Sequence, residues 1–301
     1  RLMAKDPAER FGSARAVLAA LAEAGFGDAQ TESIEIRESY LRAAAFVGRE
    51  AELAQLTGAL NVAMTGQGSG WLVAGESGVG KSRLLDELRT QALVNGALVV
   101  RGQAISEGAS PYQMWRTVLA TLVLQSEISE FEASVLKGIV PDIGNLLGTE
   151  VADAPTIEAQ ANYIRLLNVI AAVFERQAQP LLIMLEDLQW VSEDLLVLKR
   201  LLAQVPSLPL LVVGTFRDDE RPLLPQELPQ ANVIRLSRLD EAAIARLSRS
   251  MLGDGGQKPQ IVNLLQQQSE GNVFFIVEVV RTLAEEIGQL DQIGAATLPM
   301  A

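Results

Sequence analysis

The octapeptide Gly75–Ser82 constrains the fold of this chain more than any other stretch of its sequence. It reads GESGVGKS and follows the apolar run at 71–74, so it stands where a buried strand would turn into a helix. Glycines at three of its first six positions permit main-chain conformations that other residues rarely adopt. We therefore predict a tight strand-to-helix turn whose successive N–H groups converge on one point.

This turn has the residue types of a phosphate-binding loop. Convergent N–H groups and the positive end of the following helix attract phosphate oxygens. Lys81 would reach the β- and γ-phosphates of a nucleotide, and the Ser82 hydroxyl would be a ligand of Mg²⁺. The residues predicted to bind the nucleotide here are Gly75, Glu76, Ser77, Gly78, Val79, Gly80, Lys81, Ser82 and Arg83. The sequence thus predicts a nucleotide and Mg²⁺ as cofactors.

A second polar site follows the apolar run Leu182–Leu185. Glu186 and Asp187 emerge at its end, where open α/β sheets bind their ligands. One acid would hold Mg²⁺ through water and the other would polarise an attacking water, so both are candidate catalytic and metal-site residues beside Ser82. The residues alone leave open which acid has which role.

A third strand-to-polar junction lies at Leu210–Arg217. Thr215 and Arg217 stand at its carboxyl end, where both would face the γ-phosphate, and Arg217 is the third candidate catalytic residue. The alternative is a surface arginine that pairs with Asp218 or Asp219.

The hydrophobic pattern predicts the fold class. From Phe46 onward, apolar runs alternate with amphipathic segments of helical spacing, which is typical of an α/β fold with a parallel β-sheet covered by helices on both faces. After about Asp240 the strand patterns stop. We predict a core over residues 46–238 and a small all-helical lid over residues 239–301, in a chain cut from a longer product.

Three local features carry more specific predictions. Asp240 is expected to cap the first lid helix, and Ser110-Pro111 to open a helix of the core. Phe274 and Phe275 are expected to form a buried aromatic pair after a helix-to-helix turn.

Composition narrows the classes of function. The formal net charge is −12, which disfavours broad nucleic-acid binding, and the mild basic cluster of Arg235, Arg238, Arg246 and Arg249 is expected to be a solvated helix face. Without cysteine or histidine, disulfides, thiolate metal sites and histidine triads are excluded. No apolar run reaches the roughly 18–20 residues of a membrane span, so we expect a cytoplasmic protein with no membrane partner.

Five motifs in order resemble one family. They are FVGRE at 46–50, the phosphate loop, LEDLQW at 185–190, GTFR at 214–217 and GNVFF at 271–275. Together they resemble the signal-transduction branch of AAA-type ATPases over residues 46 to about 290. The resemblance implies a P-loop NTPase fold that binds ATP with Mg²⁺.

The resemblance also implies residue roles. Val47, Gly48 and Arg49 would line the adenine pocket, and the helical lid would close over the nucleotide. Glu186 and Asp187 would be the acid pair, and Arg217 the first sensor. Where the family usually has proline after Gly-Asn, this chain has Val273, so the resemblance does not carry the usual lid contact to the nucleotide over to this chain.

The first residues resemble a different family. LMAKDPAERF at 2–11 is similar to the end of a Ser/Thr protein kinase domain, which would occupy residues 1–25, with a linker over 26–45. A polar helical hairpin is the alternative. No kinase catalytic motif is present, so this chain cannot phosphorylate protein itself.

These observations favour an ATP-binding, slowly hydrolysing regulatory switch of a multidomain signalling kinase. Its partners would be the other domains of the same polypeptide, namely a kinase domain upstream and a sensor or repeat region downstream, and ATP-dependent self-association stays open. Two alternatives remain, namely a nucleic-acid-associated ATPase of the origin-recognition type and an ATP-binding scaffold without hydrolysis.

Overall fold

The structure is a computed structural model that describes residues 46–106, 111–192 and 194–287. The predicted kinase end (1–25), the linker (26–45) and the cap residue Ser110 lie outside these segments. Of the predicted lid, residues up to 287 are described.

Five parallel strands form one sheet in the described part of the chain. Their order is β2–β3–β4–β1–β5, so β1 lies between β4 and β5. The strands are β1 Ser69–Ala74, β2 Leu98–Gln103, β3 Leu181–Glu186, β4 Leu210–Phe216 and β5 Ala231–Arg235.

Eleven α-helices accompany the strands within the described segments. Those of the sheet layer are α1 Glu50–Ala63, α2 Lys81–Val94, α3 Gln113–Val123, α4 Glu130–Leu136, α5 Ile143–Leu147, α6 Ala159–Glu175, α7 Asp194–Gln204 and α8 Leu224–Glu227. Those that follow the sheet are α9 Glu241–Leu252, α10 Pro259–Ser269 and α11 Val273–Ile287.

Apolar residues cover both faces of the sheet. Every residue of β3 and β4 is buried, and alternate residues of β3 point to opposite faces. Leu182 and Met184 pack in one cluster with residues of α1 and α2. Ile183 and Leu185 belong to the cluster that contains α3, α6 and α7. The predicted two-sided burial of a parallel sheet is confirmed.

Strand register brings the carboxyl ends of four strands to one edge of the sheet. Ala74 at the end of β1 is paired with Phe216 of β4, and Gln103 at the end of β2 with Glu186 of β3. The phosphate loop, the acid pair and the segment that begins at Arg217 therefore start side by side.

The helices α9, α10 and α11 enclose a separate apolar cluster. Asp240 Oδ1 accepts a hydrogen bond from Ala243 N at 2.7 Å, which confirms the predicted helix cap. Leu239 and Ile244, which flank the cap, are both buried in this cluster.

Two local predictions are wrong. Tyr112 has a left-handed conformation (φ 62°), so a right-handed helix cannot run from Pro111 through Tyr112. The helix α3 begins at Gln113 instead. Phe274 and Phe275 are about half exposed, at 55 % and 52 %, because α11 turns its i, i+4 stripe of Ile276 and Val280 inward. The two rings form an edge-to-face pair on the surface instead.

Within the described segments, no helix combines the length and the apolar character that crossing a bilayer requires.

Candidate functional site

The loop between β1 and α2 has the shape of an anion cradle. Gly78 and Gly80 have positive φ angles of 76° and 104°, which only glycine adopts without strain. Gly80 is also the N-cap of α2 and has no side chain that could cap the helix. The first N–H groups of α2 therefore stay available to a ligand oxygen.

Lys81, the first residue of α2, folds its side chain back into this loop. Its Nζ donates hydrogen bonds to the carbonyl oxygens of Gly75 at 2.7 Å and Glu76 at 2.8 Å. Burial lowers the pKa of Lys81 below the ordinary value for lysine, and the nearby Arg217 contributes to that decrease. The ammonium group thus lies at the centre of the cradle.

The acid pair at the end of β3 divides into two different environments. Glu186 is buried and accepts a hydrogen bond from the Ser82 hydroxyl at 3.1 Å. It also forms an ion pair with Arg101 of β2. Asp187 follows in a left-handed conformation (φ 60°), and its carboxylate accepts hydrogen bonds from Gln103 Nε2 at 3.0 Å and from Gln189 Nε2 at 3.3 Å.

Residues of β4 support the second acid. The Thr215 hydroxyl accepts a hydrogen bond from Asp187 N at 3.4 Å, and the side chain of Thr215 is buried. Gln189 connects the two segments, because its amide nitrogen contacts Asp187 and its amide oxygen accepts from Arg217 N at 3.1 Å.

The Arg217 side chain lies on the outer side of this junction. Its Nη1 contacts Glu220 Oε1 at 2.6 Å, and its guanidinium carbon lies 5.5 Å from the centre of the Trp190 ring. It therefore pairs with an acid, as the surface alternative expected, although the partner is Glu220 rather than Asp218 or Asp219. Asp218 pairs with Arg235.

The segment Val47-Gly48-Arg49 lies between the phosphate loop and the lid. Arg49 is 6 % exposed and donates to the carbonyl oxygens of Ser237 and Val79. A side chain at Gly48 would meet Leu239 at 2.8 Å. This placement suits a pocket that both core and lid would enclose, while its role toward adenine stays a prediction.

The lid contacts the phosphate loop directly. Asn272 Nδ2 donates to Ser77 O at 2.9 Å, and Phe274 N donates to Gly78 O at 3.1 Å. Arg238, in the segment between β5 and α9, pairs with Glu76 of the loop. Val273 lies between Asn272 and Phe274, whose nitrogens donate these two hydrogen bonds.

Two members of the predicted loop site point elsewhere. The Glu76 carboxylate turns toward Arg238 and Asn272. Arg83 is about half exposed and pairs with Glu87 one turn along α2. If these residues contact a nucleotide in this arrangement, they do so through the main chain rather than through these side-chain groups.

Sequence reasoning missed three residues of this site. The alternation of residues along β2 indicates only which side of the sheet Arg101 faces. Nothing near Arg101 in the sequence therefore predicts its contact with Glu186. Arg238 is wrongly predicted to belong to a solvated helix face, because its partners Glu76 and Glu270 are distant in sequence. Asn272 carries the signal of a turn, and the turn is present, but the contact with Ser77 is long-range.

The donor set fits Mg²⁺ together with a nucleotide. In the described segments, no cluster of three or more acidic, histidine or cysteine side chains could hold a metal ion by itself. Ser82 and Glu186 offer one hydroxyl and one carboxylate. Mg²⁺ keeps several waters and is commonly bound by one or two carboxylates plus substrate phosphates, so this pair is sufficient only with phosphate present.

Comparisons with known proteins agree with this geometry. A family model described as the AAA ATPase domain matches residues 45–213, which is more than half of the chain. No match was found among curated proteins.

Two solved structures share the fold. The ORC1 protein of Aeropyrum pernix in complex with DNA is 16 % identical with a TM-score of 0.50, over 81 % of this chain and 61 % of that chain. Drosophila ORC bound to DNA is 12 % identical with a TM-score of 0.50, over 90 % of this chain and 67 % of that chain. The chain thus spans less than two thirds of the Aeropyrum protein, and identities this low support the fold alone.

The parallel sheet, the covering helices and the loop after β1 together confirm the predicted α/β P-loop NTPase fold. Because the family model matches more than half of the chain, the chain belongs to the AAA ATPase domain family.

Proposed function

We propose that this chain is a Mg²⁺-dependent ATP-binding switch with slow hydrolysis. The observation that carries the proposal is the contact between Ser82 and Glu186, which joins the phosphate loop to the acid pair at one edge of the sheet. A glycine-rich turn without a ligand-binding role would have no need of an acid pair beside it.

The residues of the cradle would act by exchanging partners. On nucleotide entry, the Lys81 ammonium would leave the carbonyl oxygens of Gly75 and Glu76 and donate to phosphate oxygens. The loop N–H groups would donate to the same phosphates. Bound Mg²⁺ would neutralise phosphate charge, and Ser82 and Glu186 would hold it.

The geometry supports different roles for the two acids. Glu186 is in contact with Ser82, so we assign it to the metal site. Asp187 is not, and Thr215 and Gln189 hold its backbone and carboxylate, so we assign it the orientation of the attacking water. Arg217 would stabilise charge on the γ-phosphate after it separates from Glu220.

The base would lie against Val47, Gly48 and Arg49, between core and lid. The choice of adenine over guanine follows from family membership and not from a base-specific contact.

Calorimetry with Mg-ATP tests the proposal. The parent chain should bind, and Lys81→Ala should abolish binding because it removes the charge at the centre of the cradle. Lys199→Ala, on the helix α7 at the other face of the sheet, is the matched control and should bind as the parent does. Equal binding by Lys81→Ala and the parent would refute the site.

The proposed regulatory role depends on the flanking sequence. Residues 1–25 resemble the end of a protein kinase domain, which supports a switch that acts on a neighbouring kinase in a multidomain signalling protein. In a protein that contains this chain together with the kinase domain, Lys81→Ala should then change kinase autophosphorylation at saturating ATP. Unchanged autophosphorylation would leave an ATP-binding module without this role.

A DNA-associated ATPase is the second candidate. It is considered because the two solved structures that share this fold were determined with DNA bound. The net charge of −12 opposes it, as does the pairing of Arg238 and of the lid arginines 249 and 281 with carboxylates. Binding to labelled duplex DNA that weakens steeply with salt would establish it.

Phosphate release at saturating ATP distinguishes the switch from a scaffold. A hydrolysing switch releases phosphate above the Lys81→Ala background, whereas a scaffold binds ATP and releases none. Sedimentation with and without Mg-ATP would show whether the chain self-associates.

A further inference from the structure

Arg238 lies between two carboxylates at the edge of the phosphate loop. Its Nε and Nη2 donate to the two carboxylate oxygens of Glu76 at 2.7 and 3.0 Å, and its Nη1 contacts Glu270. Glu76 belongs to the loop, whereas Glu270 is the C-cap residue that follows the lid helix α10. The guanidinium therefore joins the loop to the lid through a two-pronged, charge-assisted pair.

Glu76 also contacts Lys81, the lysine proposed to bind phosphate, through its main-chain carbonyl oxygen. Lys81 Nζ donates to the Glu76 carbonyl oxygen at 2.8 Å. Hydrogen bonding by Arg238 lowers the pKa of Glu76, and the charge of Lys81 adds to that decrease, so the two charges interact. Glu76 is thus an anion beside a site that would bind a polyanion.

The lid turn holds the same carboxylate from a second side. Asn272 Nδ2 lies 3.3 Å from Glu76 Oε1 and 2.9 Å from Ser77 O. Asn272 is 3 % exposed, so its amide is fixed by packing. Arg238 and Asn272 together direct the Glu76 side chain toward the lid and away from the interior of the loop.

We propose that Arg238 is a positioning residue that holds the Glu76 carboxylate on the side of the loop that faces the lid, so that the carboxylate does not compete with phosphate for the Lys81 ammonium. This inference rests on the proposed nucleotide-binding function and assigns to the lid a role in loop electrostatics. In this proposal, Arg238 acts through Glu76 and not through a phosphate contact of its own.

The proposal makes a prediction that a purely structural latch does not. Without Arg238, the Glu76 carboxylate keeps only the amide of Asn272 as a partner. It is then an anion on the residue whose carbonyl oxygen Lys81 contacts, where it would compete with phosphate for the ammonium and repel it. Removing that anion as well should therefore restore binding. If the pair only fastened the lid, a second substitution in the same pair would restore nothing.

The experiment measures Mg-ATP affinity by calorimetry for the parent, Arg238→Gln, Arg238→Lys and the double variant Glu76→Gln/Arg238→Gln. Because the pair is partly exposed, we expect Arg238→Gln to weaken binding about fivefold. Arg238→Lys, which keeps the charge, should bind within about twofold of the parent, and so should the double variant. Arg249→Gln removes an equal charge from the lid surface, where Arg249 pairs with Asp254, and is the matched control.

Salt provides an independent readout. The difference between Arg238→Gln and the parent should shrink as NaCl is raised from about 0.05 M to about 0.5 M, because exposed charges are then screened. Thermal unfolding of each variant establishes that the proteins compared are folded.

The outcomes separate this inference from the function on which it rests. No binding of Mg-ATP by the folded parent would overturn the proposed function. Binding by the parent with equal affinity in Arg238→Gln, or a double variant as weak as Arg238→Gln, would overturn only the role of Arg238.

Discussion

The Ser82 hydroxyl donates a hydrogen bond to Glu186 at 3.1 Å and makes no such bond to Asp187, although the two acids are adjacent. The residues are 104 positions apart, and the register of β1 and β3 with β4, together with the loop that leads into α2, brings them together. The left-handed conformation of Asp187 turns the second carboxylate to Gln103 and Gln189. Two acids that are alike in sequence therefore occupy different positions relative to the loop.

This difference predicts different effects of neutralising each acid. Glu186→Gln should weaken the Mg²⁺ dependence of ATP binding, because it removes a charged oxygen next to Ser82. Asp187→Asn should leave Mg-ATP affinity within about threefold of the parent and slow phosphate release by about a hundredfold, within the range for loss of a positioned acid–base group. A titration of Mg²⁺ against a fluorescent ATP analogue, with a phosphate-release assay, measures both.

Glu175→Gln is the matched control for this pair of variants. Glu175 is an exposed acid at the end of α6, where it contacts Gln204, and should affect neither measurement. If Glu186→Gln retained normal Mg²⁺ dependence while Asp187→Asn lost it, the assignment of the two acids would be reversed.

Arg217 should contribute to turnover more than to binding. Its guanidinium is held by Glu220 and lies over Trp190, so it must change partner before it can reach a γ-phosphate. We expect Arg217→Ala to lower phosphate release by at least about tenfold, through loss of a donor to developing charge, with less than about threefold change in ATP affinity. Arg235→Ala, which breaks the neighbouring pair with Asp218, is the control. Equal turnover in Arg217→Ala and the parent would exclude a sensor role.

The sequence predicts those parts of the site whose signal is local. The phosphate loop is contiguous, and the acid pair directly follows a run of apolar residues, so both could be located before the structure. The division between Glu186 and Asp187 could not, because it depends on the left-handed conformation of Asp187 and on the register of β3 with its neighbours.

Contacts between the core and the lid show the limit of local patterns more clearly. The order of strands and helices follows from hydrophobic periodicity, whereas the pairing of Arg238 with Glu76 joins positions 162 residues apart. Periodicity also does not fix the rotation of α11, which exposes Phe274 and Phe275. Both phenylalanines are hydrophobic, but the face of α11 that packs into the lid cluster is occupied by Ile276 and Val280.

The helical insertion between β2 and β3 should be sensitive to acid through Glu132. Glu132 accepts from Ser129 N at 2.9 Å in a capping box, and it also pairs with Arg176 at the end of α6. Burial raises the pKa of Glu132, but the hydrogen bonds from Arg176 and Ser129 outweigh it, so the net pKa lies below the ordinary 4.5. The stabilisation is therefore complete above pH 4.5 and is lost as the pH falls through the folded-state pKa.

Glu132→Gln should accordingly destabilise the fold by about 1 kcal/mol near neutral pH, and this difference should shrink on acidification to about pH 3.5. Urea unfolding of the parent and the variant at each pH measures it. Glu130→Gln, in the same first turn but outside the Arg176 pair, should change stability by less than about 0.5 kcal/mol. A difference for Glu132→Gln that grew toward acid would contradict the proposed sign.

Two glycines with positive φ allow the contact between lid and loop to be tested separately from backbone strain. Gly78 has φ 76°, and a Cβ there would lie 2.7 Å from Asn272 Oδ1 and 2.8 Å from Phe274 Cβ. Gly66 has φ 94°, and a Cβ there would meet nothing within 4 Å. Alanine at either position incurs the left-handed strain of roughly 1–2 kcal/mol, but only Gly78→Ala also collides with the lid.

Gly78→Ala should therefore destabilise the fold by about 1–3 kcal/mol more than Gly66→Ala, the excess being typical of an overpacked contact. It should also weaken Mg-ATP binding, because relief of the collision requires either the lid turn at Asn272 or the phosphate loop to move. Urea unfolding and calorimetry on both variants measure these effects, and Gly66→Ala should retain the affinity of the parent. If both variants lost equal stability and Gly78→Ala bound Mg-ATP normally, backbone strain alone would account for the whole effect. The close packing of the lid against the loop at Gly78 would then be contradicted.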